Sequence, residues 1–160
     1  MNLHRKYKSE THESSFAIGE KIGQELCSGD VVLLYGGLGA GKTSIAKGIL
    51  NSLEFDVDEV TSPSFSLVNL YKTPHFDVYH LDLWRLDASH DVAMAVGLDD
   101  ILDNDKAITL IEWADRLDGL DIGSRVITVI IAGDGDDERQ IDISISDPRE
   151  SSHLQRAEID

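Results

Sequence analysis

Cysteine is nearly absent: Cys27 is the only one in 160 residues, which excludes an intrachain disulfide. Its place beside the first expected helix reads as a small hydrophobe rather than a nucleophile. Long apolar runs are missing too. None approaches the ~18–20 residues that span a bilayer, and no charged-then-apolar leader opens the chain. A cytoplasmic chain with no membrane contact is expected. Basic residues are scarce, 14 Lys and Arg against 30 Asp and Glu, for a formal charge of −16. They cluster only at His4, Arg5, Lys6 and Lys8, a segment expected to be flexible. That balance argues against direct, high-affinity docking of a nucleic-acid backbone, which needs clustered cations to displace counterions. An acidic surface suits solubility and protein partners with basic patches. There are no internal repeats. A zinc site is excluded because His80 and Asp82 have no second ligand pair at suitable spacing.

What the chain does have is Gly36-Gly37-Leu38-Gly39-Ala40-Gly41-Lys42-Thr43, a complete G-x-x-x-x-G-K-[ST] phosphate loop followed by Ser44. Chance would place these four fixed positions in fewer than about 1% of random chains this long. Val31 to Tyr35 before it is an apolar run of strand length, and Ile45, Ala46, Ile49, Leu50 and Leu53 after it recur at helical spacing. The glycines permit a tight loop whose amides form an anion nest at a helix N-terminus. Lys42 supplies a point charge for the β- and γ-phosphates, and the Thr43 hydroxyl is a candidate Mg²⁺ ligand.

The remaining pattern predicts α/β architecture: a P-loop NTPase-like three-layer fold with a mixed, mainly parallel sheet, flanking helices and an antiparallel hairpin. A first helix is expected from a cap at Ser14 or Ser15 to about Leu26, with Phe16, Ile22 and Leu26 on one face. Strands are expected at 31–35, 64–71, 76–83, 107–111, 125–131 and 140–145. The turn Lys72-Thr73-Pro74-His75 joins the second and third of these as a hairpin. A short helix is expected over 87–96. Residues 1–146 read as one domain, and 147–160 as a polar tail expected to fray.

Hydrolysis needs more than a loop. Glu112 closes the apolar strand Ile108 to Ile111, and the carboxyl ends of parallel strands face the ligand crevice. It is a candidate to hold Mg²⁺ through water or to orient an attacking water. Strand alternation puts Tyr79, Leu81 and Leu83 on one face and His80, Asp82 and Trp84 on the other, so Asp82 faces either solvent or the site. Ser62, Ser64 and Ser66 form either a plain turn around Pro63 or a loop that senses the γ-phosphate. Trp113 reads as core, or as an exposed partner anchor.

Together, Gly-x-Leu-Gly-Ala-Gly-Lys-Thr, Ser62-Pro63-Ser64-Phe65, His80-Leu81-Asp82-Leu83-Trp84-Arg85-Leu86 and Ile111-Glu112-Trp113 resemble the TsaE (YjeE) family over roughly residues 14–145. The resemblance implies an ATPase required for threonylcarbamoyladenosine modification of tRNA, with ATP and Mg²⁺ as cofactors. On this resemblance it acts on a TsaB–TsaD complex, which performs the transfer, and does not itself bind tRNA tightly. Carried over by position, Lys42 and Thr43 serve phosphate and Mg²⁺, Glu112 serves Mg²⁺, Asp82 is the second essential acid, and Trp113 borders the site; the Ser64 hydroxyl, from its place after the phosphate-loop helix, is a candidate for the Mg²⁺ shell. Ser15 and Arg139 fall on the base or sugar side. Gly37 stands where the family usually has Asp, Ser64 replaces Thr, Trp84 replaces Tyr, and Ala114 replaces a frequent Pro. Two alternatives are a small P-loop metabolite kinase, against which the scattered arginines argue, and a non-hydrolysing ATP-dependent assembly switch.

Overall fold

The computed structural model describes residues 3–37, 39–60, 67–84, 86, 96–117, 122–133 and 135–148. In chain order these form β1 (Leu3–Ser9), α1 (His12–Gln24), β2 (Val31–Tyr35), α2 (Lys42–Ser52), β3 (Val68–Lys72), β4 (Asp77–Asp82), α3 (Leu98–Leu102), β5 (Ala107–Glu112), β6 (Val126–Ala132) and β7 (Arg139–Ser146). Short 3₁₀ turns occupy Val57–Glu59 and Ala114–Arg116. The strands make one seven-stranded sheet in the order β1-β7-β6-β2-β5-β4-β3. Its central four, β6, β2, β5 and β4, pair in parallel; β3 and β7 run the other way. The carboxyl ends of β2, β4 and β5 therefore meet at one rim, where parallel sheets hold ligands.

Alternation along the strands divides the core in two. Val32, Leu34, Val78, Ile108 and Leu110 face the pair α1 and α2, whose Ile18, Ile22, Ile45 and Ile49 fill that layer. Val31, Leu81 and Ile111 face α3 and the turn at Ala114 on the opposite side. All of β5 is buried, as a strand covered on both faces should be. The weak helix former Gly48 has a packing reason. A Cβ there would overlap the Phe16 carbonyl, and one at Gly19 would overlap the Ile45 carbonyl, so α1 and α2 cross at a contact only glycine permits. At the base of β2, buried Asp30 accepts from Arg125 Nη2 at 2.6 Å and from the Cys27 amide at 2.7 Å. Pairing with Asp30 raises the Arg125 pKa further.

Several expectations are corrected. The basic N-terminal segment is an edge strand, β1, in antiparallel register with β7. Arg5, Tyr7 and Ser9 turn toward the protein while His4, Lys6 and Lys8 stay in solvent, so both lysines occupy the outer face of a two-period pattern. Helix α1 starts earlier than expected. Thr11 is its cap and accepts from the Ser14 amide at 3.0 Å, leaving Ser15 inside the helix and buried. Cys27 follows α1 and is exposed rather than packed. The expected hairpin is present as β3 and β4. Helix α3 went unforeseen, being only five residues that begin after left-handed Gly97. Residues 87–95 of the helix expected over 87–96, the segment 61–66, and residues 149–160 of the tail expected from 147 lie outside the described residues. No helix among the described residues is long and apolar enough to cross a membrane.

Candidate functional site

The loop between β2 and α2 wraps the rim of the sheet. Gly39 and Gly41 adopt φ of 74° and 113°, left-handed values that L side chains rarely take, and Gly41 is the N-cap of α2. A Cβ added at Gly37 or Gly39 would meet nothing within 4 Å, so the loop's outer side is open to a ligand. Leu38 lies outside the described residues. Lys42 is buried, and its ammonium donates to the Gly36 carbonyl at 2.8 Å and the Gly37 carbonyl at 2.7 Å. The same ammonium lies 4.1 Å from the centre of the Trp113 ring. Burial pushes the Lys42 pKa down, against the upward pull of Glu112, Asp82 and Asp115.

Glu112 comes from the end of β5, one strand over from β2, and is buried. Its Oε1 accepts from the Thr43 hydroxyl at 3.1 Å. Its Oε2 lies 2.6 Å from His80 Nε2 on β4. Asp82, also buried, is the register partner of Glu112 across the parallel pair β4 and β5. It accepts from the Trp84 amide at 3.1 Å. The two acids and His80 thus share the sheet face that carries α2, and Asp82 is turned to the site side rather than to solvent. The backbone bends sharply just after Glu112: Trp113 has φ of 58°, a left-handed conformation that is costly for an aromatic residue and is typical of functional sites. Its ring packs 4.5 Å from that of Trp84, and the Arg116 guanidinium covers both.

Ser15 and Arg139 lie on a cleft next to the loop with about 560 Å³ of open space, lined also by Thr11, His12 and Asp137. Ser15 is held by Ser9 at 2.8 Å. Arg139 donates to the carbonyls of Ala40, Asp137 and Gly135, at 3.3, 2.6 and 2.9 Å, and so ties the β6–β7 turn to the phosphate loop. Ser44 is 3.1 Å from His12 Nδ1. Ser64, with Ser62 and Ser66, lies outside the described residues. Lys42, Thr43, Asp82, Glu112 and Trp113 are brought together at one rim; Ser15, Arg139 and Ser44 border it.

A Mg²⁺ ion suits this donor set. Thr43 and Glu112 offer hard oxygen donors already in contact, with Asp82 on the adjoining strand. No group of three or more His, Cys, Asp or Glu among the described residues forms a metal cage. Mg²⁺ needs none, because phosphates and water complete its shell. Sequence reasoning passed over His80 as a site residue. Alternation placed it on the Asp82 face, but only the register of β4 against β5 brings it to Glu112.

The family model for threonylcarbamoyl adenosine biosynthesis protein TsaE matches residues 9–141. A tRNA threonylcarbamoyladenosine biosynthesis protein TsaE from Rickettsia bellii is 34% identical over 136 residues, covering 85% of this chain and 90% of the relative. The protein of the same name from Mycobacterium bovis is 36% identical over 113 residues, so the chain matches 66% of that relative's length. Among solved structures, the crystal structure of Bacillus subtilis YdiB is similar with a TM-score of 0.72 at 27% identity, covering 99% of this chain and 98% of that one.

Proposed function

The chain belongs to the TsaE family of tRNA threonylcarbamoyladenosine biosynthesis proteins, and we propose that it is a Mg²⁺-dependent ATPase acting on the TsaB–TsaD complex. The observation that carries this reading is the contact between Thr43 and Glu112. It joins the phosphate-loop hydroxyl to a strand-end carboxylate, the pair through which a P-loop site holds Mg²⁺ on a bound triphosphate.

The loop amides and the N-terminus of α2 receive the phosphates, and the Lys42 ammonium exchanges its two carbonyl acceptors for β- and γ-phosphate oxygens. Exchanging those acceptors needs no large movement, because the ammonium is already held at the loop. The Trp113 ring shields it from water, which strengthens its attraction for phosphate. Thr43 and Glu112, with Asp82 beside them, would hold Mg²⁺, which when bound neutralises phosphate charge. Glu112 and Asp82 are also the groups placed to orient a water. Ser15 and Arg139 take the base or sugar side of the nucleotide across the adjoining cleft. The net charge of −16 leaves tRNA to the partners.

ATP turnover by the protein alone and with TsaB–TsaD tests the reading. Turnover is slow alone and rises with the partners, and Lys42→Ala or Glu112→Ala lowers it by ~100-fold or more. Transfer of the γ-phosphate to a small metabolite, or tight ATP binding with no hydrolysis in any mixture, would overturn it.

A further inference from the structure

We propose that His80 is a positioning residue that fixes the Glu112 carboxylate for its work at the phosphate end of the site. The inference rests on the nucleotide reading above. The His80 ring is wholly buried, and its Nε2 is 2.6 Å from Glu112 Oε2. Thr43 occupies the other oxygen, Oε1. Glu112 is therefore gripped at both ends, by one residue from the phosphate-loop helix and one from the neighbouring strand. Such a two-ended grip sets the plane of the carboxylate, which a single hydrogen bond leaves free to rotate.

Two further features favour positioning over simple packing. Among the described residues no group hydrogen-bonds the buried His80 Nδ1, and the ring's side-chain hydrogen bond there is the one to Glu112. This fixes the polarity of the contact. Nδ1 is satisfied most cheaply as the bare nitrogen, because an N–H there would be a buried donor with no acceptor, so Nε2 carries the proton and donates to Glu112. The second feature is what surrounds the carboxylate. Lys42 lies within the electrostatic reach of Glu112, with Asp82 and Asp115. A Glu112 released from His80 would keep a buried oxygen without a donor and would swing toward that ammonium, drawing Lys42 away from phosphate. In this arrangement His80 keeps the acid and the lysine working on the nucleotide rather than on each other.

The test compares His80→Gln, whose side-chain amide presents an N–H near the position of Nε2, with His80→Leu, which fills similar volume without a donor. Three quantities are read: thermal unfolding, the MgCl₂ concentration giving half-maximal binding of a fluorescent ATP analogue, and kcat and KM for ATP. In His80→Leu the MgCl₂ midpoint rises and kcat falls, each by ~10–100-fold, while binding of the analogue without Mg²⁺ changes little. His80→Gln recovers most of both. A folded His80→Leu with unchanged midpoint and kcat overturns the proposal, as does a His80→Gln no better than leucine, which would assign the ring to packing. If His80→Leu does not fold, His80→Asn takes its place, since its shorter amide cannot reach Glu112. Should the wild type turn over no ATP, hydrolysis fails as a reading of the site, and the MgCl₂ midpoint alone decides the role of His80.

Discussion

Lys42 shows at the scale of one residue how the site opposes stability. Its ammonium is buried against two carbonyls and an indole, and the loss of water outweighs the attraction of three nearby carboxylates, so its pKa lies below the ordinary lysine value of 10.5. The unfolded chain then holds this proton more tightly than the folded one. Stability contributed by Lys42 accordingly rises with pH through the window from its lowered folded value up to 10.5. Replacing it with methionine, which keeps the stem and removes the charge, is expected to raise the melting temperature at pH 7 without nucleotide. The gain narrows toward pH 10, where the wild-type lysine also sheds its charge. Melting curves of the two proteins at both pH values check this, with loss of ATP binding in Lys42→Met as the functional counterpart. A lower melting temperature for Lys42→Met at pH 7 would mean that the carbonyl contacts at 2.8 and 2.7 Å dominate instead.

At the scale of elements, the α1–α2 contact is the most sensitive joint behind the site, because α2 begins at Lys42 and its direction aims the loop. Gly48 faces the Phe16 carbonyl and Gly19 faces the Ile45 carbonyl, backbone against backbone, with no flexible side-chain end to yield. Gly48→Ala is expected to destabilise by ~1–3 kcal/mol, despite the better helix propensity of alanine, and to weaken ATP binding as α2 shifts. Urea unfolding of Gly48→Ala checks the first effect; a stabilised variant would show that the helices can separate at no loss. The same joint marks the border of what could be read from sequence. Strands β2 and β5 were legible because continuous apolar runs record burial, and the phosphate loop was legible because its chemistry is local. Strand β1 was not, since alternate lysines and arginines hide an edge strand whose inner face carries Tyr7 and Ser9. Gly48 gave a helix with a weak point but no reason for it, because the reason lies on α1. Glu112 and Asp82 could be nominated one at a time as strand-end acids. Their meeting with each other and with His80 depends on the order β2-β5-β4 and on a parallel register that no local pattern contains.

For the whole molecule the dominant fact is charge, −16 in total, with 30 acids against 14 bases. Several of those bases are already committed within the fold: Arg5 to Glu25, Lys72 to Asp77, and Arg125 to Asp30. The first two pairs are exposed enough to contribute little, so the folded state carries a net repulsion that expansion would relieve. Salt should therefore stabilise this protein. Raising NaCl from ~0.01 to ~0.1 M shortens the screening length from ~30 to ~10 Å. Weakening the repulsion by ~1 kcal/mol would lift the melting temperature by ~2–4 °C in a chain of this size. MgCl₂ at the same ionic strength separates general screening from a site. If Thr43 and Glu112 hold Mg²⁺ only together with phosphates, as the sparse protein donor set implies, MgCl₂ alone should match NaCl closely, and MgCl₂ with ATP should exceed both. A melting temperature that falls with NaCl would show that surface ion pairs, not net repulsion, govern stability. Equal melting temperatures for MgCl₂ with and without ATP would remove the nucleotide-dependent metal site from the account of this rim.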